Sequence, residues 1–322
     1  MSEVKQSEQK PGLVILTGPT AVGKTDLSIA LAKRVGGEII SADSMQVYRH
    51  MDIGSAKIMP DEMAGISHHL IDVLDPSEEF NVVSFQQMAK QAMTGIYDRG
   101  HIPIVTGGTG FYIQALLYDV DFTDNDEDTE LRRQLEEIAR KQGNDVLYDR
   151  LKSIDPESCE IIHANNIKRV IRAIEFYEKT GMKISKHNKI QRQNSSPYNF
   201  AYFVLNDDRD KLYRSIEQRV DAMVEQGLVD EVKRLADSGC TRDMVSMQGL
   251  GYKEILDYLD GHITLEEAIY LIKRDTRHFA KRQLTWFRRE RDTIMIDKPE
   301  FSYDNDRILD YIITILQGKG IV

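Results

Sequence analysis

Cysteine is scarce: Cys159 and Cys240 are the only two in 322 residues, and neither stands in a Cys-x-x-Cys pair. Two isolated cysteines cannot build a disulfide framework, so both read as reduced thiols. No group of His and Cys has zinc-site spacing, and no structural zinc is expected. Nor does any apolar run approach the roughly 18 residues of a membrane span. The first eleven residues are polar and charged, without the apolar core of a signal peptide. These absences predict a cytoplasmic protein with no membrane partner. Repeats, low-complexity tracts and long heptad patterns are missing as well, and with the acidic charge this makes a monomer the expectation.

Net positive charge is also lacking. Against 42 Lys and Arg stand 52 Asp and Glu, a balance of -10, so a nucleic acid would have to be met by local basic surface. Two segments supply it. Residues 168–192 hold Lys168, Arg169, Arg172, Lys179, Lys183, Lys186, Lys189 and Arg192 against Glu175 and Glu178. Residues 273–291 hold Lys273, Arg274, Arg277, Lys281, Arg282, Arg288, Arg289 and Arg291 against Asp275 and Glu290. A charge run of this kind serves equally as a solvated face. The acidic excess lies elsewhere, notably over residues 119–137.

Present instead is an alternation of short apolar runs and helical periodicity. Residues 13–16, ending in Thr17-Gly18, read as a buried parallel strand. A helix follows from Lys24, with Leu27, Ala30 and Leu31 on one face, and Gly36-Gly37 stops it. Residues 38–41, 69–73 and 102–105 read as further strands and 84–98 as a helix, the pattern of a parallel sheet covered on both faces. Near Asp119 the strand signal stops. Leu131, Leu135 and Ile138 share one helical face, Val146, Leu147 and Leu151 a second, and Val170, Ile171 and Ile174 a third, capped by Asn166 and closed by Gly181. Residues 182–197 are polar and basic and read as a linker. A strand returns at 198–205, and helices are expected at 209–226, 228–238, 265–289 and 306–317. The division predicted is a core of residues 1–118 and 198–322 around a helical insertion at 119–197.

Gly18-Pro19-Thr20-Ala21-Val22-Gly23-Lys24-Thr25 fits G-x-x-x-x-G-K-[ST], placed between a strand and a helix as its mechanism requires. Glycines let backbone N–H groups converge on phosphate oxygens, Lys24 adds a charge, and Thr25 offers a hydroxyl to Mg²⁺. The helix dipole points at the same anion. The fold class is therefore α/β, a P-loop NTPase-like parallel sheet with helices on both faces and an inserted all-helical domain. The motif specifies a polyphosphate without saying which.

Asp43 follows the second strand, where ligands of open sheets collect. Facing a phosphate it could hold Mg²⁺ through water or accept a proton from a nucleophile, and it could equally be a turn aspartate. The Gly107-Gly108-Thr109-Gly110 turn ends another strand on the same sheet edge. Position alone leaves a P-loop protein of unknown substrate.

A series of further motifs resembles the bacterial tRNA dimethylallyltransferases in order and spacing over nearly the whole chain. It runs through Asp43-Ser44-Met45-Gln46-Val47-Tyr48-Arg49, Met51-Asp52-Ile53-Gly54-Ser55-Ala56-Lys57, His68-His69-Leu70-Ile71-Asp72 and Gly107-Gly108-Thr109-Gly110-Phe111-Tyr112. It continues with Asn166-Ile167-Lys168-Arg169-Val170-Ile171-Arg172-Ala173-Ile174-Glu175 and Tyr213-Arg214-Ser215-Ile216-Glu217-Gln218-Arg219. Gln248-Gly249-Leu250-Gly251-Tyr252-Lys253-Glu254 and Lys281-Arg282-Gln283-Leu284-Thr285-Trp286-Phe287-Arg288 complete it. Ser55 stands where the family often has threonine, and Phe279 where it often has tyrosine.

The resemblance implies that Gly18, Thr20, Ala21, Val22, Gly23, Lys24 and Thr25 hold the diphosphate of dimethylallyl diphosphate, with Mg²⁺ at Thr25. It implies an acceptor amine on the adenosine 3′ of the anticodon. Lys24 and Arg219 would stabilise the leaving group, Asp43 would serve as general base, and Thr109 would lie beside it. The anticodon stem-loop would be held by Asp43, Ser44, Met45, Gln46, Thr109, Arg132, Lys168, Arg169, Val170, Ile171, Arg172, Gln248, Gly249, Leu250, Gly251, Tyr252 and Lys253, with Lys281 and Arg282 on backbone phosphate. For the last helix, packing through Phe279, Trp286 and Phe287 with solvated arginines is the alternative. A small-molecule kinase and an adenylate isopentenyltransferase share the cradle; the late basic motifs favour tRNA over both.

Overall fold

The structure, a computed structural model, describes residues 10–122, 129–191 and 193–322. Most of the polar N-terminal stretch, Arg192 and the acidic residues 123–128 lie outside that range.

Strand β1 (Gly12–Thr17) is almost wholly buried and runs into helix α1 (Lys24–Val35), which Gly36 ends in the left-handed conformation. Next come β2 (Gly37–Ala42), the two-residue β3 (His68–His69), α2 (Val82–Asp98), β4 (Ile102–Gly107) and α3 (Gly110–Leu117). The strand expected over 69–73 is thus shorter: Leu70 and Asp72 both have positive φ, which breaks the extended backbone needed for pairing.

The segment that follows is helical, with α4 (Thr129–Gln142), α5 (Asn144–Ile154), α6 (Ile167–Thr180) and α7 (Ile184–Gln191). It belongs to a compact unit of its own, Leu117–Ser196. Leu135, Leu147, Leu151, Val170, Ile171, Ala173 and Ile174 form its core. Val146, expected on that face, is exposed. Asn166 occupies the N-cap of α6 without a side-chain capping bond. The linker expected at 182–197 contains α7, a helix without a buried residue that no periodicity could announce. Its anchor is polar. Buried Asp155 accepts bonds from Ser185 N–H and Oγ at 3.0 and 2.7 Å and from Ser158 Oγ at 2.6 Å. Burial opposes its charge, but these bonds hold its carboxyl below the usual range.

The chain then returns through β5 (Asn199–Asn206), α8 (Arg209–Glu225), α9 (Leu228–Asp237), α10 (Tyr252–Leu259), α11 (Leu265–Phe287), β6 (Thr293–Asp297) and α12 (Asn305–Gly318). Neither α10 nor β6 is anticipated by the sequence reading. Among the described residues the sheet has six parallel strands in the order β3-β2-β4-β1-β5-β6. Alternate residues serve opposite faces. Val14, Leu16, Ile39, Ile104, Phe203 and Ile296 join α1, α8 and α12 in one core. Leu13, Ile15, Ile40, Val105 and Val204 are buried outside that cluster, on the face where α2 packs against β2 and β4. Helices therefore cover both faces, and the C-terminal strand ends are left to form a cleft.

Candidate active site

Gly18 and Gly23, both at positive φ, bracket the loop between β1 and α1. Gly23 is the N-cap of α1 and has no side chain to cap it, so the first N–H groups of the helix stay available to an anion. The Lys24 ammonium lies back under the loop, donating to the carbonyls of Pro19 at 2.8 Å and Gly18 at 3.0 Å. Although the residue as a whole is only half-buried, this withdrawal of its ammonium and the nearby Arg219 lower its pKa to about 7, with Asp43 opposing. Arg219, from α8, donates to Thr20 Oγ1 at 3.4 Å; burial pulls its pKa down, and Asp43 and Asp26 partly restore it. On the outer side of the loop Lys298 donates to the Val22 carbonyl at 3.1 Å.

The second strand end brings Asp43 to the same cleft. Its Oδ1 accepts the N–H groups of Met45 at 2.8 Å and Gln46 at 3.4 Å, so one oxygen does make an aspartate turn. Oδ2 takes no part in it. Gln46 is engaged on both sides, accepting from Ser41 Oγ at 3.1 Å and donating to the Ala56 carbonyl at 3.2 Å. The third strand end supplies the glycine turn. A Cβ on Gly107 would stand 2.3 Å from the Ala42 carbonyl oxygen, which only glycine allows. Thr109 donates its N–H to that same oxygen at 3.2 Å but does not line the cleft.

The cleft holds a cavity of about 110 Å³. Thr20, Ala21, Gly23, Lys24, Thr25 and Arg219 make its cationic end, and Asp43 and Gln46 stand in its wall. Ile39, Ile58, Ile71 and Phe279 give it an apolar side, with His68 among them. His68 Nδ1 lies 2.9 Å from the Ile66 carbonyl, and burial lowers its pKa, so it enters the cleft as a neutral ring. The sequence reading missed these apolar residues, which look like ordinary core, and missed Gln283. Gln283 accepts the Thr20 N–H at 2.9 Å and donates to the Gly108 carbonyl at 3.0 Å.

Two segments assigned to RNA meet directly: a Cβ on Gly249 would stand 2.6 Å from Met45 Cε. Around that meeting point Gln248 is exposed and donates to the Arg242 carbonyl, Leu250 is half-buried, and Gly251 starts α10 at positive φ. Lys253 pairs with Glu254 at 3.4 Å. Tyr252 is a correction. It is fully buried, so it braces the site from behind and cannot touch a nucleotide. In the helical unit the same correction applies to Val170 and Ile171, whose side chains fill the core. Lys168, Arg169 and Arg172 occupy the exposed face of α6, and Arg132 is bonded to Glu175 at 2.9 and 3.1 Å.

Helix α11 divides by face. Lys273 pairs with Asp221 and Arg277 with Glu217, both at 2.6 Å, so these two bases join α11 to α8. Ala280, Gln283 and Phe287 point inward, and Trp286 packs so closely on the glycine turn that a Cβ on Gly110 would lie 2.2 Å from its ring. Lys281, Arg282 and Arg288 remain exposed. Trp286 and Phe287 thus pack as the alternative reading expects, whereas Phe279 lines the cleft with Arg282 over its ring.

Among the described residues no three His, Cys, Asp or Glu side chains converge on a metal. Asp43 is the carboxylate of the cleft lining, and Thr25 adds an exposed hydroxyl at the cradle. Such a sparse, hard set fits Mg²⁺, which keeps waters and takes its other ligands from a bound diphosphate.

Residues 46–290 match the IPP transferase family, and residues 11–78 match the isopentenyl transferase family. The tRNA dimethylallyltransferase of Lachnoclostridium phytofermentans is 61% identical over 310 residues, 96% of this chain and 99% of that one. A solved structure of the full-length tRNA isopentenylpyrophosphate transferase from Bacillus halodurans is 46% identical, with a TM-score of 0.73 over 97% of this chain and 98% of that one. A eukaryotic dimethylallyltransferase acting on tRNA is 32% identical, with a TM-score of 0.78 over 89% and 74% of the two chains.

Proposed function

The chain belongs to the IPP transferase family, and from that premise we propose that it moves the dimethylallyl group of dimethylallyl diphosphate onto tRNA. It is a prenyl-transferring enzyme. The acceptor is the exocyclic N6 amine of the adenosine adjacent to the anticodon on its 3′ side. In the step the allylic C–O bond breaks, a C–N bond forms, diphosphate leaves, and the amine proton passes to Asp43. The carrying observation is that one cleft joins an anion cradle, a carboxylate with one oxygen outside its turn, and an apolar wall.

An allylic carbon tolerates developing positive charge, so the barrier depends on the departing anion and on the alignment of the amine. Backbone N–H groups of Ala21, Val22, Gly23, Lys24 and Thr25, with the Lys24 and Arg219 cations, receive the diphosphate; Gly18 lets the loop wrap. Binding releases the Lys24 ammonium from the Pro19 and Gly18 carbonyls towards phosphate oxygen. Mg²⁺, held by Thr25, would neutralise charge on the leaving group. Adenine N6 is a weak nucleophile because its lone pair is delocalised, which is why a base is needed. Thr109 fixes the end of β2 through Ala42 and so holds Asp43 in place. The apolar wall takes the five-carbon chain and excludes water.

The target base sits in a stacked loop and has to be turned out to reach the cleft. We assign the anticodon stem-loop to Asp43, Ser44, Met45, Gln46, Gln248, Gly249, Leu250, Gly251 and Lys253 on the core. Arg132, Lys168, Arg169 and Arg172 meet it from the helical unit, and Lys281 and Arg282 meet backbone phosphate. We take the enzyme to act as a monomer in the cytoplasm. Incubation with labelled donor and either tRNA or AMP tests the reading: label on tRNA alone is expected, and label on AMP alone would redirect the assignment to a free-nucleotide acceptor.

A further inference from the structure

Gln283 is a polar side chain of the cleft to which the proposed transfer gives no role. It is 6% exposed in the last two turns of α11, on the face that otherwise buries apolar residues. Its two amide atoms reach different loops. Oε1 accepts the Thr20 N–H of the cradle at 2.9 Å, and Nε2 donates to the Gly108 carbonyl at 3.0 Å. Thr17 Oγ1 bonded to the Gly107 carbonyl at 2.6 Å, and Thr106 Oγ1 bonded to the Leu16 carbonyl at 2.9 Å, tie β1 to β4 only as far as the strand ends. Beyond them Gln283 joins the two loops. From Gly108 the linkage continues through Thr109 N–H to the Ala42 carbonyl at 3.2 Å, the residue before Asp43.

We propose that Gln283 is a positioning residue that sets the distance between the donor cradle and the acceptor side of the cleft. The inference rests on the proposed transfer to tRNA in that cleft. Only a neutral carboxamide of this length accepts from one loop while donating to the other; a carboxylate keeps the first bond and loses the second. The fit leaves no slack, since a Cβ on Gly108 would stand 2.1 Å from Gln283 Nε2. Donor and amine have to meet within a few tenths of an ångström for in-line transfer, and a displacement of about 1 Å costs on the order of 10²-fold in rate.

The test compares the full-length wild type with Gln283→Glu, Gln283→Leu, Gly108→Ala and the double variant Gln283→Leu/Gly108→Ala in steady-state transfer to tRNA. Gln283→Glu is expected to lower kcat by roughly 10- to 100-fold and, since its carboxylate faces the diphosphate, to raise KM for the donor as well; the uncharged Gln283→Leu should lower kcat comparably with KM for the donor near wild type. Gly108→Ala pushes the Gln283 amide away from the same carbonyl and should lower kcat comparably. The double variant should fall no further than Gln283→Leu, because both changes break one linkage. Should Gln283→Leu fail to fold, the isosteric Gln283→Glu decides. A kcat for Gln283→Glu within about twofold of wild type, or losses that multiply in the double variant, overturns the inference. A wild type that transfers nothing to tRNA would instead sink the functional reading, so the two failures are distinguishable.

Discussion

Tyr252 donates its hydroxyl hydrogen to Glu231 at 2.9 Å, and the same carboxylate accepts the backbone N–H groups of Asp52, Ile53 and Gly54 at 2.9, 2.8 and 3.0 Å. Burial, and then the Glu231 charge, raise the Tyr252 pKa, so the phenol remains a donor at any working pH. A late segment of the chain thereby braces an early one, residues 51–56, whose Ser55 and Ala56 line the cleft. Lys57 pins the far end of that stretch, bonded to the Tyr48 carbonyl, Asp52 and Asp72 at 2.6, 2.7 and 2.5 Å.

Glu231→Leu should therefore destabilise the fold by about 2–3 kcal/mol, since it removes the acceptor of three part-buried N–H donors and of the buried Tyr252 hydroxyl, while Tyr252→Phe should cost about 1–2 kcal/mol. Denaturant unfolding of the purified variants measures both. Equal, negligible losses would show that the brace carries no weight.

Asp43→Asn isolates the base from the turn. The amide oxygen can still accept from Met45 and Gln46, so the loop persists, but no proton can be taken up. Transfer should fall by about 10²–10⁴-fold, far more than tRNA affinity, because the amide keeps a polar contact to the loop and loses only the proton acceptor. A near-normal single-turnover rate would remove Asp43 from the chemistry.

Lys24 gives the site a pH signature. Below about pH 7 its ammonium is charged in both folded and unfolded chains; between about 7 and the ordinary 10.5 only the unfolded chain keeps the proton. Folding stability contributed at this site thus rises with pH through that window. A bound diphosphate restores the charge, so donor binding at pH 8 should take up a proton. Calorimetry in buffers of different ionisation enthalpy reads that uptake, and Lys24→Met should abolish it. Identical heats in all buffers would contradict the cradle role.

The basic residues should separate by partner. Lys273→Ala and Arg277→Ala break pairs to α8 and should lower stability with little change in tRNA binding. Lys281→Ala, Arg282→Ala and the α6 changes Lys168→Ala and Arg169→Ala should weaken tRNA binding. Removing each cation that neutralises a phosphate should flatten the slope of log affinity against log salt by nearly one unit. An unaltered slope in the second set would place those residues outside the RNA interface.

What could be read from sequence follows the strength of local signals. β1, the phosphate loop and α1 combine a fully buried apolar run, glycines at required turns and a clear helical stripe, and each of these leaves a mark in the residues. β6 leaves almost none: Thr293–Asp297 is a half-buried edge strand behind an arginine-rich turn. α7 is held by Asp155 and by the partly buried Ile184 rather than by an apolar stripe, and its polar sequence reads as linker. Gln283 is legible only as a polar residue on an amphipathic helix, because its two partners lie 263 and 175 residues away. In the same way a basic residue in sequence does not tell whether it faces an acidic neighbour, as Lys273 does, or solvent, as Lys281 does.

The central claim is that the glycine-lined cradle grips an allylic diphosphate and serves alkyl transfer rather than phosphoryl transfer. Its most direct test is a single turnover of the wild type with tRNA, dimethylallyl diphosphate and ATP together, counting prenylated adenosine, diphosphate and ADP. Equal amounts of prenylated adenosine and diphosphate, with ATP intact, are the predicted result; ADP formation with the allylic diphosphate untouched would contradict it.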